Sequence, residues 1–241
     1  MLQEIKRPGM DKLLDFIRKS DFYEAPASSR FHLATKGGLL QHSLNVYDAL
    51  VGRMEPFELS DGEKIFRSRV AGKVMAEFPQ DAATISALLH DLCKTHFYKV
   101  DYRNQKIYKP GGSKRDAGGA YDWERVPLYT IDDHNPYGHG EKSVMMASEF
   151  IRLTMEERYA IRWHMGMADC SYNDVRNFNA SAEKYPLVLF LHNADQEASH
   201  FMEGQDGNLD IYQDADEDPQ ENNYDAAAFV DQSPFEEAPK I

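Results

Sequence analysis

Residues 81–94 read DAATISALLHDLCK, and this stretch sets the class of the fold. Asp81 is placed to cap a helix, and residues 82–89 form the most apolar helical run in the chain. A segment this apolar belongs in a core, yet it ends on adjacent His90 and Asp91. An ionised carboxylate loses several kcal/mol on burial unless it is paired or bound to a metal. Asp91 therefore requires a cationic partner.

Working outward, three more segments put titratable groups into equally apolar surroundings. In residues 37–47, GGLLQHSLNVY, His42 lies inside a helix whose Leu39, Leu40, Ser43, Leu44 and Tyr47 fit a buried face. His164 lies in AIRWHMG and Asp195 in LFLHNADQE. A single histidine on an apolar face is more often a hydrogen-bonded core residue. Several imidazoles and two carboxylates, each on a separate helix, are what a divalent ion would require.

The order of these residues resembles the H…HD…D signature of the HD superfamily of metal-dependent phosphohydrolases, matched by GGLLQHS, LLHDLCK and HNADQ. KGGLLQHS and LLHDLCK look most like the HD domains of certain bacterial 3′→5′ exoribonucleases and related stand-alone proteins. The resemblance covers roughly residues 30–200, apart from an insertion. It implies a compact helical fold and hydrolysis of phosphomonoester or phosphodiester bonds by metal-activated water. His42, His90, Asp91 and Asp195 would hold a first ion. A second would take His139 and His164, with Asp91 bridging both, the metal being Mn, Fe or Mg. His134 competes with His139 for that place; a helix starting directly after His139 would fix its direction. Asp91, Lys94 and Lys142 form the candidate catalytic set, the two lysines countering phosphate charge, although each also fits a solvated helix end. Two departures stand out. Cys93 precedes Lys94 where the commonest family form has Gly, and no segment is long enough for the nucleic-acid-binding barrel of the exonuclease relatives.

Around these motifs the periodicity predicts further helices. Met10, Leu13, Leu14 and Ile17 space out one at residues 9–20. Ser60 with Glu63 reads as a capping box for a helix through residues 61–78, DGEKIFRSRVAGKVMAEF. Helices follow at EKSVMMASEFIRL, at MEERYAIRWHM under a Thr154/Glu157 cap, and from Pro186 onward. Residues 97–133 alternate aromatic and basic side chains and read as a two- or three-strand β insertion. The expected fold is thus an all-α HD-domain helical bundle over residues 1–203, with a small β insertion at 97–133. A disordered acidic C-terminal tail, residues 204–241, follows.

Substrate choice falls to the insertion. Tyr98, Lys99, Tyr102, Arg103 and Trp123 are its candidate substrate-binding residues, beside Tyr108, Tyr121 and Tyr129 and the cations Lys106, Lys109, Lys114 and Arg115. Aromatic rings stack on bases and basic side chains follow phosphates; the alternative is a hairpin whose aromatics pack on the helical body. The net charge of −13 does not decide between them, because −11 falls on residues 203–241 and only −2 on the rest. The tail either solvates the protein or, through Phe229, Val230 and Phe235, recruits a protein partner with a basic, apolar groove. Cys93 and Cys170 make neither a disulfide framework nor a CxxC pair, and no run approaches the ~20 apolar residues of a membrane span. A cytoplasmic protein with no membrane partner is expected. GxSxG and GxxxxGK[ST] motifs are absent. Three functions fit: a phosphohydrolase for nucleotides or short single-stranded nucleic acid, a nucleoside triphosphate or cyclic-nucleotide hydrolase, and a non-catalytic scaffold recruiting a partner through its tail.

Overall fold

The protein is seen here as a computed structural model that describes residues 1–109, 121–167 and 171–203. The acidic segment 204–241, with Phe229, Val230 and Phe235, lies outside the described residues, as do Lys114, Arg115 and Cys170. In chain order the elements are α1 (Met10–Lys19), α2 (Gly38–Val51), β1 (Glu55–Glu58), β2 (Lys64–Val70), β3 (Lys73–Pro79) and α3 (Gln80–Leu89). Then come β4 (Tyr98–Tyr108), β5 (Tyr121–Ile131), α4 (His139–Ser148), α5 (Met155–Arg162), α6 (Tyr172–Lys184) and α7 (Leu187–Glu197). Among the described residues no helix is long and apolar enough to cross a membrane.

Helix α3 is the hub. Every residue from 82 to 89 is buried, which is why the run carries no polar face. The helix starts one residue ahead of Asp81, with Pro79 in the cap position; Asp81 adds charge to the first turn instead of capping it. α2, α5 and α7 pack around α3. One apolar cluster joins Leu13 and Ile17 of α1 to Leu39, Ile85, Leu89, Ile151 and Ile161. A second joins Val46 and Leu50 of α2 to Phe78, Ala83, Ala87, Leu187 and Leu191. The expected Thr154 cap of α5 is present in full. Thr154 accepts from the Glu157 amide, and Glu157 accepts from the Thr154 amide at 2.8 Å. The same buried carboxylate takes both terminal nitrogens of Arg7, at 2.7 and 2.8 Å, and so ties the N-terminal segment to α5.

The all-α expectation is wrong: the fold is mixed, with two antiparallel sheets. Residues 61–78, read as a helix, instead supply β2 and β3, which pair in the order β1-β2-β3. Turn chemistry overrides the capping-box pattern. The Asp61 carboxylate accepts from the Glu63 amide at 3.1 Å, and the Gly62 amide closes on Leu59 O at 2.9 Å. Ala71 and Gly72 then form a two-residue connection with φ of 49° and 77°. Two successive left-handed residues are what a tight hairpin demands and a helix forbids. The sheet lays Phe66, Ala76 and Phe78 against the second cluster.

The second sheet is the hairpin β4–β5, whose register runs without a slip from Tyr98↔Ile131 to Tyr108↔Tyr121. It falls inside the segment read as extended from its alternation. Helix α6, for which the sequence reading set no expectation, is capped by Ser171 and Asp174 and buries only Phe178 and Ser181. Pro186 stands at the cap position of α7, one residue before its first turn. Beyond Glu197 the chain continues through a π-helical turn, Ala198–Met202, that delivers Glu203 back toward α2.

Candidate metal centre

His42 comes from the middle of α2, and the glycine that opens this helix, Gly38, has a steric purpose. A Cβ on Gly38 would lie 2.1 Å from Leu33 O and 2.9 Å from Ala27 N, so the preceding loop can cross the start of the helix only if that position is bare. Ser28 braces the loop by accepting from the Phe31 amide and donating to His32 O, both at 2.8 Å. Leu33 takes a left-handed φ of 46°, and the His32 ring ends 4.9 Å from that of His42. His90 ends α3, Asp91 follows it, and Leu92–Lys94 form a single 3-10 turn. His164 lies just past α5, and Asp195 lies inside α7.

Each imidazole is anchored by its outer nitrogen. His90 Nδ1 donates to Ala87 O at 2.8 Å and His164 Nδ1 to Ile161 O at 2.7 Å. His42 Nδ1 donates to the Glu203 carboxylate, 3.0 and 3.1 Å from its two oxygens. Carbonyl and carboxylate oxygens only accept, so these contacts put a ring proton on each Nδ1 and turn each Nε2 inward. His42 Nε2 and His90 Nε2 then face each other at 3.1 Å. The same His42 nitrogen lies 3.5 Å from Asp91 Oδ2 and 3.2 Å from Asp195 Oδ1. Ring nitrogens crowded against carboxylates repel unless a cation, a metal ion or a proton, stands among them. His42, His90 and Asp91 are buried, and their donor atoms lie within 4.8 Å of one another, close enough to hold a metal ion.

Without a metal, a proton on His42 supplies that cation. Burial disfavours the His42 cation, but hydrogen bonds to Asp195 and Glu203 outweigh it and raise the pKa to about 9, so a proton competes for the position a metal would take. Burial lowers the pKa of His90 and keeps it neutral. Burial would raise Asp91, yet the Lys94 ammonium, 2.7 Å from Oδ2, holds the carboxyl well below the usual range. Asp91 Oδ1 and His164 Nε2, 3.5 Å apart, are both buried and make no hydrogen bond. Buried polar atoms left in this state are uncommon and point to a missing ligand.

The other expected residues stand around this donor group, His139 near enough to feel the charges of Asp91 and His164. His139 opens α4 with Nδ1 3.5 Å from Cys93 Sγ and its ring 5.6 Å from that of Phe97. His134 is exposed beside Asp132 at the root of the hairpin. Lys142 is buried but spends its ammonium on Asp133 and on the Phe97 ring, 4.9 Å away; it braces the hairpin root. Lys94 neutralises Asp91. Cys93, in place of the glycine, is buried where its amide donates to Ser143 Oγ at 3.1 Å, and burial pushes its thiol up to about 12. The five expected substrate residues divide between the two sides of the hairpin: Tyr98, Tyr102 and Trp123 share one face, Lys99 and Arg103 the other. Tyr98 lies close enough to the centre to feel the charges of Lys94 and Asp91, and its hydroxyl is 3.5 Å from Ala27 O.

Two members of the site were missed by sequence reasoning. Glu203 was counted with the charges of the tail, and its spacing of eight residues from Asp195 gave no signal, because a π-helical turn lies between them. His32 sits in a loop with no periodicity to flag it. Glu203 also accepts from Asn45 Nδ2 at 2.9 Å, so its carboxylate is itself oriented. An acid on the far nitrogen of a metal-binding imidazole raises ligand basicity and fixes the ring. Glu203→Ala should therefore weaken metal affinity about 10- to 100-fold, read by competition against a chromogenic chelator; unchanged affinity would remove Glu203 from the centre. Comparisons of the chain with protein families, with curated proteins and with solved structures return no match.

Proposed function

We propose that the protein is a metal-dependent phosphohydrolase of the HD type, acting on phosphomonoester or phosphodiester bonds of nucleotides or short single-stranded nucleic acid. The observation that carries this reading is the convergence of imidazole Nε2 atoms on buried carboxylates, with Nδ1 of His42, His90 and His164 each held by an oxygen on its other side. His42, His90, Asp91 and Asp195 would hold the first ion. Asp91 has Oδ2 toward His42 and His90 and Oδ1 toward His164, an arrangement suited to bridging a second. Mixed imidazole and carboxylate donors favour Mn²⁺ or Fe²⁺ over Mg²⁺, which prefers oxygen and retains its waters. A divalent ion supplies an acidified water and withdraws charge from phosphoryl oxygen.

The chain's own residues prepare that chemistry. Lys94 keeps Asp91 ionised while buried, Glu203 and two backbone carbonyls fix the rings, and the apolar clusters exclude bulk water from the donors. Elemental analysis of the purified protein should find a bound transition metal, and Mn²⁺ should stimulate release of p-nitrophenol from bis(p-nitrophenyl) phosphate. A protein with neither property is not a phosphohydrolase.

A further inference from the structure

Residues directly opposite one another in an antiparallel pair project from the same face, and neighbours along a strand from opposite faces. In the β4–β5 register this sorts the hairpin by chemistry. Tyr98, Tyr102 and Tyr108 face the same way as Tyr121, Trp123 and Tyr129, so every aromatic side chain of the two strands shares one face. The charges on that face are Lys106 and Arg125, both cationic; the acids Asp101, Asp122 and Glu124 all project from the other. Ring pairs such as Tyr98–Tyr129 and Tyr108–Tyr121 steady the hairpin, but that does not call for the acids to be kept off the same face. Trp123 is 61% exposed and Tyr102 52%, while Tyr98, Tyr108, Tyr121 and Tyr129 are half-buried and keep part of their surface open.

Cations and rings are interleaved along the face. Lys106 Nζ lies 4.6 Å from the centre of the Tyr121 ring and 5.4 Å from that of Trp123, and the Arg125 guanidinium lies 4.5 Å from that of Tyr102. Flat apolar surfaces alternating with positive charge suit an anion that carries flat aromatic groups at intervals. The face begins at Tyr98, four residues beyond Lys94 of the metal centre, and runs through strands of eleven residues, about 35 Å at ~3.3 Å per residue. That length exceeds one nucleotide several times over. In a duplex the base faces are already stacked on each other, so only an unpaired strand can offer them to rings.

Resting on the phosphohydrolase reading, we infer that the aromatic face of the β4–β5 hairpin is a stacking track for single-stranded nucleic acid. Bases lie on its tyrosine and tryptophan rings, phosphates meet Lys106 and Arg125, and the strand is led past Tyr98 to the metal centre.

The test is fluorescence anisotropy on the full chain. Its probes are phosphorothioate-linked single strands of about 16 nucleotides, in DNA and RNA versions, and the matching duplex. The wild-type protein should prefer a single strand of at least one sugar type over the duplex. Trp123→Ala should weaken binding about tenfold, and Tyr102→Ala with Trp123→Ala about a hundredfold, while metal content measured by elemental analysis stays unchanged. Lys106→Gln with Arg125→Gln should reduce the slope of log affinity against log salt by about 1.4, a change that loss of packing alone does not produce. Equal affinity for duplex, or variants that bind as the wild type does, would overturn the track. So would absence of oligonucleotide binding with a self-association in sedimentation that Trp123→Ala abolishes, since the face would then be a protein interface. The two readings fail separately: a wild-type protein without metal or ester turnover defeats the phosphohydrolase, whereas turnover of the small ester without oligonucleotide binding defeats only the track.

Discussion

Replacing Asp91 with alanine should leave the protein without bound metal and without hydrolytic turnover. Asp91 offers an oxygen to each side of the donor cluster and is buried between His42, His90 and His164. Among the described residues the other acids that contact the cluster, Asp195 and Glu203, come from α7 and the turn after it and meet His42. The change also strands Lys94, whose ammonium would keep its burial and lose its counter-charge. Asp91→Asn preserves the shape and separates the two effects: metal and activity should still vanish while the far-ultraviolet circular dichroism remains that of the wild type. Turnover retained in Asp91→Asn would rule out its bridging role.

The second large effect is on stability. Arg7→Ala should lower the unfolding free energy by about 3 kcal/mol, the low end for breaking a buried ion pair, since Glu157 is buried while Arg7 is partly exposed. Glu157 is fully buried, and its two oxygens serve both the Thr154 amide and the Arg7 guanidinium. Without Arg7 the carboxylate keeps one backbone donor and no charge partner. Helix α5, which Glu157 caps, presents His164 from its other end, so metal affinity should fall along with stability. Urea denaturation of the metal-free and metal-loaded protein measures both. A loss below about 1 kcal/mol, the range of an exposed ion pair, would mean that water reaches Glu157.

The metal donors were legible in the sequence because burial makes charge conspicuous. Asp91 and Asp195 stand in runs such as SALLHD and LFLHNAD, where an acid has no place without a cation, and the fold does bring them to His42 and His90. The β1–β2–β3 sheet was not legible, because Ile65, Phe66, Val70, Val74 and Phe78 satisfy a loose helical spacing as well as a pleat. What decides between the two is the pair of tight turns at Asp61-Gly62 and Ala71-Gly72, a local signal weaker to the eye than the Ser60/Glu63 pattern beside it. Lys142 shows a further limit. Its partner Asp133 comes from the root of the hairpin, a tertiary pairing that the first turn of a helix does not advertise. The sorting of aromatics on the hairpin was encoded in the sequence as odd and even positions, but it needed the cross-strand register to acquire meaning.

The π-helical turn before Glu203 has an arithmetic of its own. In an uninterrupted α-helix the residue eight places beyond Asp195 points about 80° away from it, whereas the seventh points within about 20°. The wide turn, closed by the Glu203 amide on Ala198 O at 3.1 Å, absorbs one residue, so that eight positions do the angular work of seven. Glu203 thereby comes round to the side of the helix that meets His42. A chain shortened by one residue between Ala198 and Met202 could relax to an ordinary helix and still present that acid; a chain lengthened by one could not.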